Sequence, residues 1–336
     1  MAFKQHVFAI DAHTAGEAAR IVIGPLMWKK CANMSEKKAY FEQHYDKLRR
    51  SLMFEPKGHD NMFGSVISEA CDPEADYGIF FIESGGCLNM CGHGTIASVT
   101  AMIELGIIDA GGQSEKVVKV DTPAGLVTTT AHIEGDKVVG VSFQNVPSFL
   151  YKKDCHINLP EYGDIRFDIS FGGSFFAAVP IEQFALAVDI NNADKLSDIA
   201  MQLKHLINEQ IPVRHPTQPI DTVDLISLYT FDKEQRRLHS CVVFGLGQID
   251  RSPCGTSTCA MTALMYNKGI IGIDEFFTSE SIMGTQFKAR AVRELEFNGY
   301  RAIIPEVTGT GYVLGTQHFF IDDRDPFVEG FTFFKE

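Results

Sequence analysis

Two cysteines in this chain share one local context. Cys91-Gly-His-Gly-Thr95 and Cys254-Gly-Thr-Ser-Thr258 each set a sulfur immediately before a glycine and a run of mostly small, apolar residues. A cysteine at the start of a helix lies beside unpaired backbone N–H groups and the positive end of the helix dipole, which favours its thiolate. Two such helix ends converging on one cleft would also hold an anion, most simply a carboxylate. With one sulfur ionised and the other protonated, the pair could remove a proton from the carbon next to that carboxylate and deliver one to its opposite face. The result is inversion of configuration at that carbon.

The two contexts belong to an internal repeat. Segments 91–108 and 254–271 lie 163 residues apart and coincide without a gap at Cys91/Cys254, Gly92/Gly255, Thr95/Thr258, Ala97/Ala260, Met102/Met265, Gly106/Gly269, Ile107/Ile270 and Ile108/Ile271. Both read as helices, with Gly106 and Gly269 where a helix C-terminus wants a left-handed residue. Almost every face is apolar or small, so each helix is expected to be buried all round. Such a helix needs a sheet wrapped around it.

The flanking runs supply strands. In the first half these are 7–11, 79–82, 117–120, 125–133 and 138–143; in the second they are 165–169, 174–179, 222–229, 240–244, 286–292 and 300–304. Outside the repeat, helical patterns cover 35–53, with Ser35 as N-cap, and 192–210. The expectation is two α+β halves, each a curled sheet around one buried helix, joined near Val146-Pro147.

Composition narrows the partners. The 336 residues carry 30 basic and 43 acidic side chains, a net charge of −13, with no Lys/Arg run longer than a pair. Such a chain repels phosphate backbones, so nucleic acid is excluded as a partner. No stretch reaches the roughly 18 apolar residues of a membrane helix, and Met1 to His6 has neither an apolar core nor a basic amphipathic character. The chain reads as cytoplasmic and free of membranes. Eight cysteines are too sparse for a disulfide scaffold, and a reducing compartment keeps them as thiols.

Nearby polar residues fit supporting roles. His93, two after Cys91, and Asp250, four before Cys254, could tune a sulfur's ionisation or take up a substrate ammonium; either could equally be a hydrogen-bonded structural residue. No Gly-rich phosphate fingerprint, Walker loop or pyridoxal lysine context is present, which points to a reaction with no cofactor. Cys87, Cys91 and His93 have partial zinc-ligand spacing. Without a second Cys/His cluster they fall short of the about four ligands of a structural site, and no metal is expected. A single cysteine before a helix is usually a buried structural thiol; the duplication is what favours catalysis. Cys31, Cys71, Cys155 and Cys241 read as inert.

Five motifs carry a family resemblance. Residues 11–20 (Asp11-Ala-His-Thr-Ala-Gly-Glu-Ala-Ala-Arg20), 55–64 (Glu55-Pro-Lys-Gly-His-Asp-Asn-Met-Phe-Gly64), Asn89 to Thr95, Phe167 to Phe176 and Asp250 to Thr256 resemble the signatures of the proline racemase family, nearly end to end. The resemblance implies a diaminopimelate-epimerase-like α/β (α+β) fold of two pseudo-symmetric halves, with the active site in the cleft between them. It divides the chain into 1–147 plus about 311–336, carrying Cys91, and 148–310, carrying Cys254. It also implies a homodimer.

The same resemblance makes Cys91 and Cys254 the paired acid and base of a cofactor-independent isomerase interconverting L- and D-proline. It assigns Gly92, His93, Gly255 and Thr256 to the carboxylate and Asp250 to the ring nitrogen. Phe63, Phe244 and Leu225 match the apolar pocket wall of proline racemases. A hydroxyl on the ring would lack partners there, at about 1–3 kcal/mol, which favours proline over hydroxyproline. The alternatives are a 4-hydroxyproline 2-epimerase and a non-catalytic amino-acid-binding member. The dehydratase branch typically carries Thr in place of the second cysteine, so Cys254 argues against it. Two departures from the family pattern are Ser257, where glycine is usual, and Cys259, where a smaller or hydroxylated residue is commoner.

Overall fold

The computed structural model describes residues 5–333; Met1 to Lys4, which begin the segment read above for a targeting signal, and the last three residues lie outside them. The strands and helices run β1 (Gln5–Thr14), β2 (Glu17–Gly24), α1 (Met34–Met53), β3 (Phe63–Ser68), β4 (Tyr77–Glu83), β5 (Cys87–Leu88), α2 (Gly92–Glu104), β6 (Glu115–Thr122), β7 (Gly125–Glu134) and β8 (Lys137–Gln144). They continue as β9 (Ser148–Leu159), β10 (Gly163–Phe171), β11 (Phe175–Pro180), α3 (Ala193–Gln210), β12 (Val223–Asp232), β13 (Arg237–Phe244), β14 (Gln248–Ile249), α4 (Gly255–Asn267), β15 (Phe277–Ser281), β16 (Gln286–Phe297), β17 (Tyr300–Gly309) and β18 (Gly311–Ile321). Two compact units result, one of residues 5–143 with 309–333, the other of 144–308.

In the first unit β18 and β2 flank β1 antiparallel, β3 lies parallel to β2, β4 antiparallel to β3, β6 parallel to β4 and β7 antiparallel to β6. The second unit repeats that pattern: β9 and β11 flank β10 antiparallel, β12 is parallel to β11, β13 antiparallel to β12, β15 parallel to β13 and β16 antiparallel to β15. There the ladder continues through β17 back to β9, so the sheet closes on itself. The two parallel steps in each unit are the crossovers that carry the helices, since parallel neighbours cannot be joined by a tight turn. An eighteen-residue sequence repeat therefore marks a duplication of the whole topology.

The two repeat helices are the elements that the sheets enclose. In α2 every residue from Gly92 to Ile103 is buried, and in α4 every residue from Gly255 to Met265. α2 packs on β1, β2, β3, β7 and β18, and α4 on β9, β10, β11 and β16. Gly106 and Gly269 adopt left-handed φ of 69° and 68° just beyond the two C-termini, where a side chain would be strained. The α4 end is stapled twice, by Gly269 N–H to the Tyr266 carbonyl and Ile270 N–H to the Met265 carbonyl.

The outer helices are amphipathic and cover the sheets from outside. α1 turns Phe41, Leu48, Leu52 and Met53 onto Val22, Val66, Phe80 and Ile82 of the first unit's sheet. Its N-cap is Asn33, whose Oδ1 accepts from the Glu36 N–H at 2.9 Å, and not Ser35. Both are good caps. Ser35 lies inside the first turn, where its hydroxyl donates instead to the Pro123 carbonyl.

Candidate active site

Cys91 is the N-cap of α2. Its backbone is extended (φ −147°, ψ 124°), which turns the sulfur back over the first helical turn, where Sγ accepts from the Gly94 N–H at 3.4 Å. His93 Nδ1 lies 3.1 Å from the same sulfur. The turn is held from below: Thr14 donates its hydroxyl to the His93 carbonyl and Thr95 donates to the Cys91 carbonyl, at 2.9 and 2.8 Å. Gly94 permits this geometry, because a Cβ there would stand 2.8 Å from the Phe81 ring. Phe63 opens β3 and meets the His93 ring edge-to-face at 4.4 Å. Cys91, Gly92, His93 and Phe63 thus form one buried cluster.

Cys254 occupies the matching place before α4 with a different conformation. Its φ is +59° (ψ 103°), a left-handed backbone for a residue with a side chain. The sulfur makes no capping bond to the helix and instead lies 3.6 Å from Thr256 Oγ1. What holds the turn is a relay. Asp250 Oδ1 accepts from the Ser252 N–H and hydroxyl at 2.8 and 2.7 Å, and Ser252 Oγ accepts from the Cys254 N–H at 3.1 Å. Asp250 reaches Cys254 through its backbone by way of Ser252. Its Oδ2 makes no hydrogen bond among the described residues.

Phe244 ends β13 just before this turn, and Leu225 precedes Ile226, which pairs with Val243 in the adjoining strand β12. Both side chains are buried. Gly255, Thr256, Ser257 and Cys259 all lie buried in the first turns of α4. In the first turn of any helix the N–H groups have no intrahelical carbonyl, so both turns present donors suited to an anion.

Five of the other thiols are made poor nucleophiles by burial. Burial pushes Cys87, Cys241 and Cys259 up to about 12, with the Asp250 charge adding to the effect at Cys241. Burial also raises Cys71 and Cys155. Among the described residues no group of three His, Cys, Asp or Glu side chains is placed to hold a metal ion, and no helix is long and apolar enough to cross a membrane.

Sequence reasoning quoted Ser252 and Thr14 inside motifs without giving either a role. The signal for Ser252 was present: Asp-x-Ser-Pro is a turn in which the acid caps the serine. The glycine after each cysteine does not separate their backbones; what precedes them does, Ser252-Pro253 before Cys254 and Asn89-Met90 before Cys91.

Comparison with known proteins gives the family. The proline racemase family profile matches residues 9–332. A proline racemase of Clostridioides difficile is 46% identical over 333 residues, covering 98% of this chain and 99% of that one. A trans-3-hydroxy-L-proline dehydratase of Bacillus cereus is 37% identical, covering 96% of each. The crystal structure of a hydroxyproline epimerase from Agrobacterium vitis, with bound trans-4-hydroxy-L-proline, superposes with a TM-score of 0.93 at 30% identity, covering 99% of this chain and 97% of the other. The duplicated topology, the paired Cys-Gly turns and these full-length matches have one reading: the chain belongs to the proline racemase family.

Proposed function

We propose that this chain is a cofactor-independent proline racemase that uses Cys91 and Cys254 as its base and acid. The observation that carries the reading is that corresponding helices in two topologically equivalent units each begin at a buried cysteine. The ionised sulfur takes the α-proton of proline, leaving a planar carbanion whose charge spreads into the carboxylate. The protonated sulfur then delivers its proton to the opposite face. Backbone N–H groups of Gly92, His93, Gly255 and Thr256 hold the carboxylate, and Asp250, through its uncommitted Oδ2, accepts from the ring ammonium. Every atom balances: one proton leaves, one arrives, and the two sulfurs exchange protonation states.

Phe63, Phe244 and Leu225 form the wall on this reading, and their apolar surfaces favour unsubstituted proline. A cytoplasmic homodimer completes it. The second reading is a 4-hydroxyproline 2-epimerase, favoured by the hydroxylated ligand in the Agrobacterium vitis relative. Incubating metal-free protein with L-proline in D2O tests the first: the expected product is racemate carrying α-deuterium, and retained optical rotation without exchange would overturn it. The ratio of kcat/KM on proline and trans-4-hydroxy-L-proline separates the two readings.

A further inference from the structure

We infer that residues 322–333 form a strap that braces the loop leading into Phe63, so that docking of this C-terminal segment sets how tightly substrate is held. The strap is read from the first unit alone; its effect on substrate rests on the proposed function. β18 ends at Ile321, and the chain then leaves the sheet and passes over the C-terminal end of α1. There Phe331 donates its N–H to the Glu55 carbonyl at 2.9 Å, in an antiparallel bridge between the two residues. Thr332 donates its hydroxyl to Asp60 Oδ1 at 2.8 Å. Gly330 makes the approach possible. Its φ is +73°, and a Cβ on it would stand 2.6 Å from Phe54 Cβ and 2.9 Å from the Glu55 carbonyl oxygen. Val328 packs against the core that α1 covers.

Charge steers the strap onto this place. Asp323, Asp325 and Glu329 meet Lys47, Lys57 and Arg50 at 3.1, 3.9 and 3.7 Å. Each pair is partly exposed and worth only about 0–1 kcal/mol, so docking depends more on the backbone bridge, the Thr332 hydroxyl and the apolar contact. The loop is gripped from the other side by Arg20. Its Nη1 donates to the Leu52 and Lys57 carbonyls at 2.8 and 2.6 Å, while Nε and Nη2 hold Asp11. Within the loop, Gly58 N–H donates to the Phe54 carbonyl and Met62 N–H to the His59 carbonyl, both at 2.7 Å. Phe63 follows at once, with its ring 4.4 Å from that of His93. Asp60, where the strap is anchored, lies three residues before Phe63. A displacement of the loop is therefore passed along the backbone to the ring that meets His93, beside Cys91.

Gly330 and Thr332 are on this account positioning residues that act through Phe63. Gly330→Ala in the full-length protein forces the strap off Phe54 while removing no group from the loop. Hydrogen–deuterium exchange, read by mass spectrometry, should then speed up at least about tenfold in peptides covering residues 55–62 and keep its wild-type rate in α2 and in the second unit. On proline, KM should rise about fivefold with kcat within about twofold of wild type, the mark of lost uniform binding. Thr332→Val should shift both readings in the same direction, and Thr332→Ser, which keeps the hydroxyl, should restore them. A strap that serves stability alone leaves KM at its wild-type value, and general loosening of the unit speeds exchange in α2 as well. Either result overturns the inference, as does wild-type exchange of residues 55–62 in Gly330→Ala. If exchange follows the expectation while the wild-type protein puts no deuterium on proline in D2O, the racemase reading falls and the bracing of the loop stands.

Discussion

Gly172 approaches Thr256 more closely than any side chain would permit: a Cβ on Gly172 would stand 2.4 Å from the Thr256 carbonyl oxygen and 2.5 Å from the Ala260 nitrogen. The β10–β11 turn is thereby seated against the first turns of α4. It is fixed there by Gly172 N–H to the Ser174 carbonyl and by Asn145 Nδ2 donating to the Gly172 carbonyl at 2.7 Å. Gly172 of the Phe167 to Phe176 motif lets the turn and the helix backbone touch in the first turns of α4. Gly172→Ala should cost at least about 1–3 kcal/mol by overpacking. It should also lower turnover in the fraction that still folds, because the clash pushes on the helix end that carries the sulfur. Urea midpoints with rates on the same preparation check this; an unchanged midpoint would show that the turn can retreat.

Ser252→Ala tests the relay before α4. It removes the acceptor for the Cys254 N–H and the hydroxyl that donates to Asp250, leaving a buried donor without a partner. The expected loss is about 1–3 kcal/mol of stability, with a rise in KM as Asp250 loses its orientation. Ser252→Thr keeps the hydroxyl and should recover most of both. If Ser252→Ala matches wild type in denaturant midpoint and KM, the relay does not set the turn.

His215 gives a pH dependence of known sign. Its imidazole is enclosed by Phe149, Phe171, Phe175 and Phe297, and burial lowers its pKa. Nδ1 accepts from the Thr217 and Gln218 N–H groups, which a protonated ring could not do. The unfolded chain takes up a proton near ~6.5 that the folded chain refuses until lower pH. Stability from this site is therefore fully present above that value and declines as pH falls below it. His215→Asn keeps an acceptor but cannot titrate, so its stability should fall less steeply with acidification. Parallel denaturation curves for the two proteins down to about pH 5 would contradict this.

How legible all this was in the sequence depended on which forces fixed each element. The central helices were readable because their signals are local: a cysteine before glycine at one end, Gly106 and Gly269 at the other, and no polar face between. β7 was readable because its burial alternates over Val127, Thr129, Ala131 and Ile133. β9 and β18 escaped because their identity comes from pairing. Lys152, Lys153 and Asp154 interrupt the first, and Thr316, Gln317 and His318 interrupt the second, yet each completes a ladder against an antiparallel neighbour. The difference between the two cysteine caps was only partly legible: Asp250 and Ser252 lie in the local Asp-x-Ser-Pro turn before Cys254, whereas Thr14 reaches the His93 carbonyl from a distant strand.

Phe63 is the residue through which substrate preference can be changed. It is 2% exposed, opens β3 beside Gly64, and places its ring against His93. On the proposed function it closes the pocket with carbon, so a ring hydroxyl entering there is stripped of water and gains no partner, at about 1–3 kcal/mol. Phe63→Ser exchanges that surface for a donor and acceptor and opens room for a water. The ratio of kcat/KM for trans-4-hydroxy-L-proline to that for proline should rise by about thirtyfold, the equivalent of about 2 kcal/mol in the middle of that energy range. Removing a buried phenyl ring also costs stability, on the order of 3–5 kcal/mol, so absolute rates will drop for both substrates. The ratio is immune to that loss, because both rates are measured on the same folded fraction. A ratio that stays at its wild-type value in folded Phe63→Ser would remove Phe63 from the wall and leave the preference to Phe244 and Leu225.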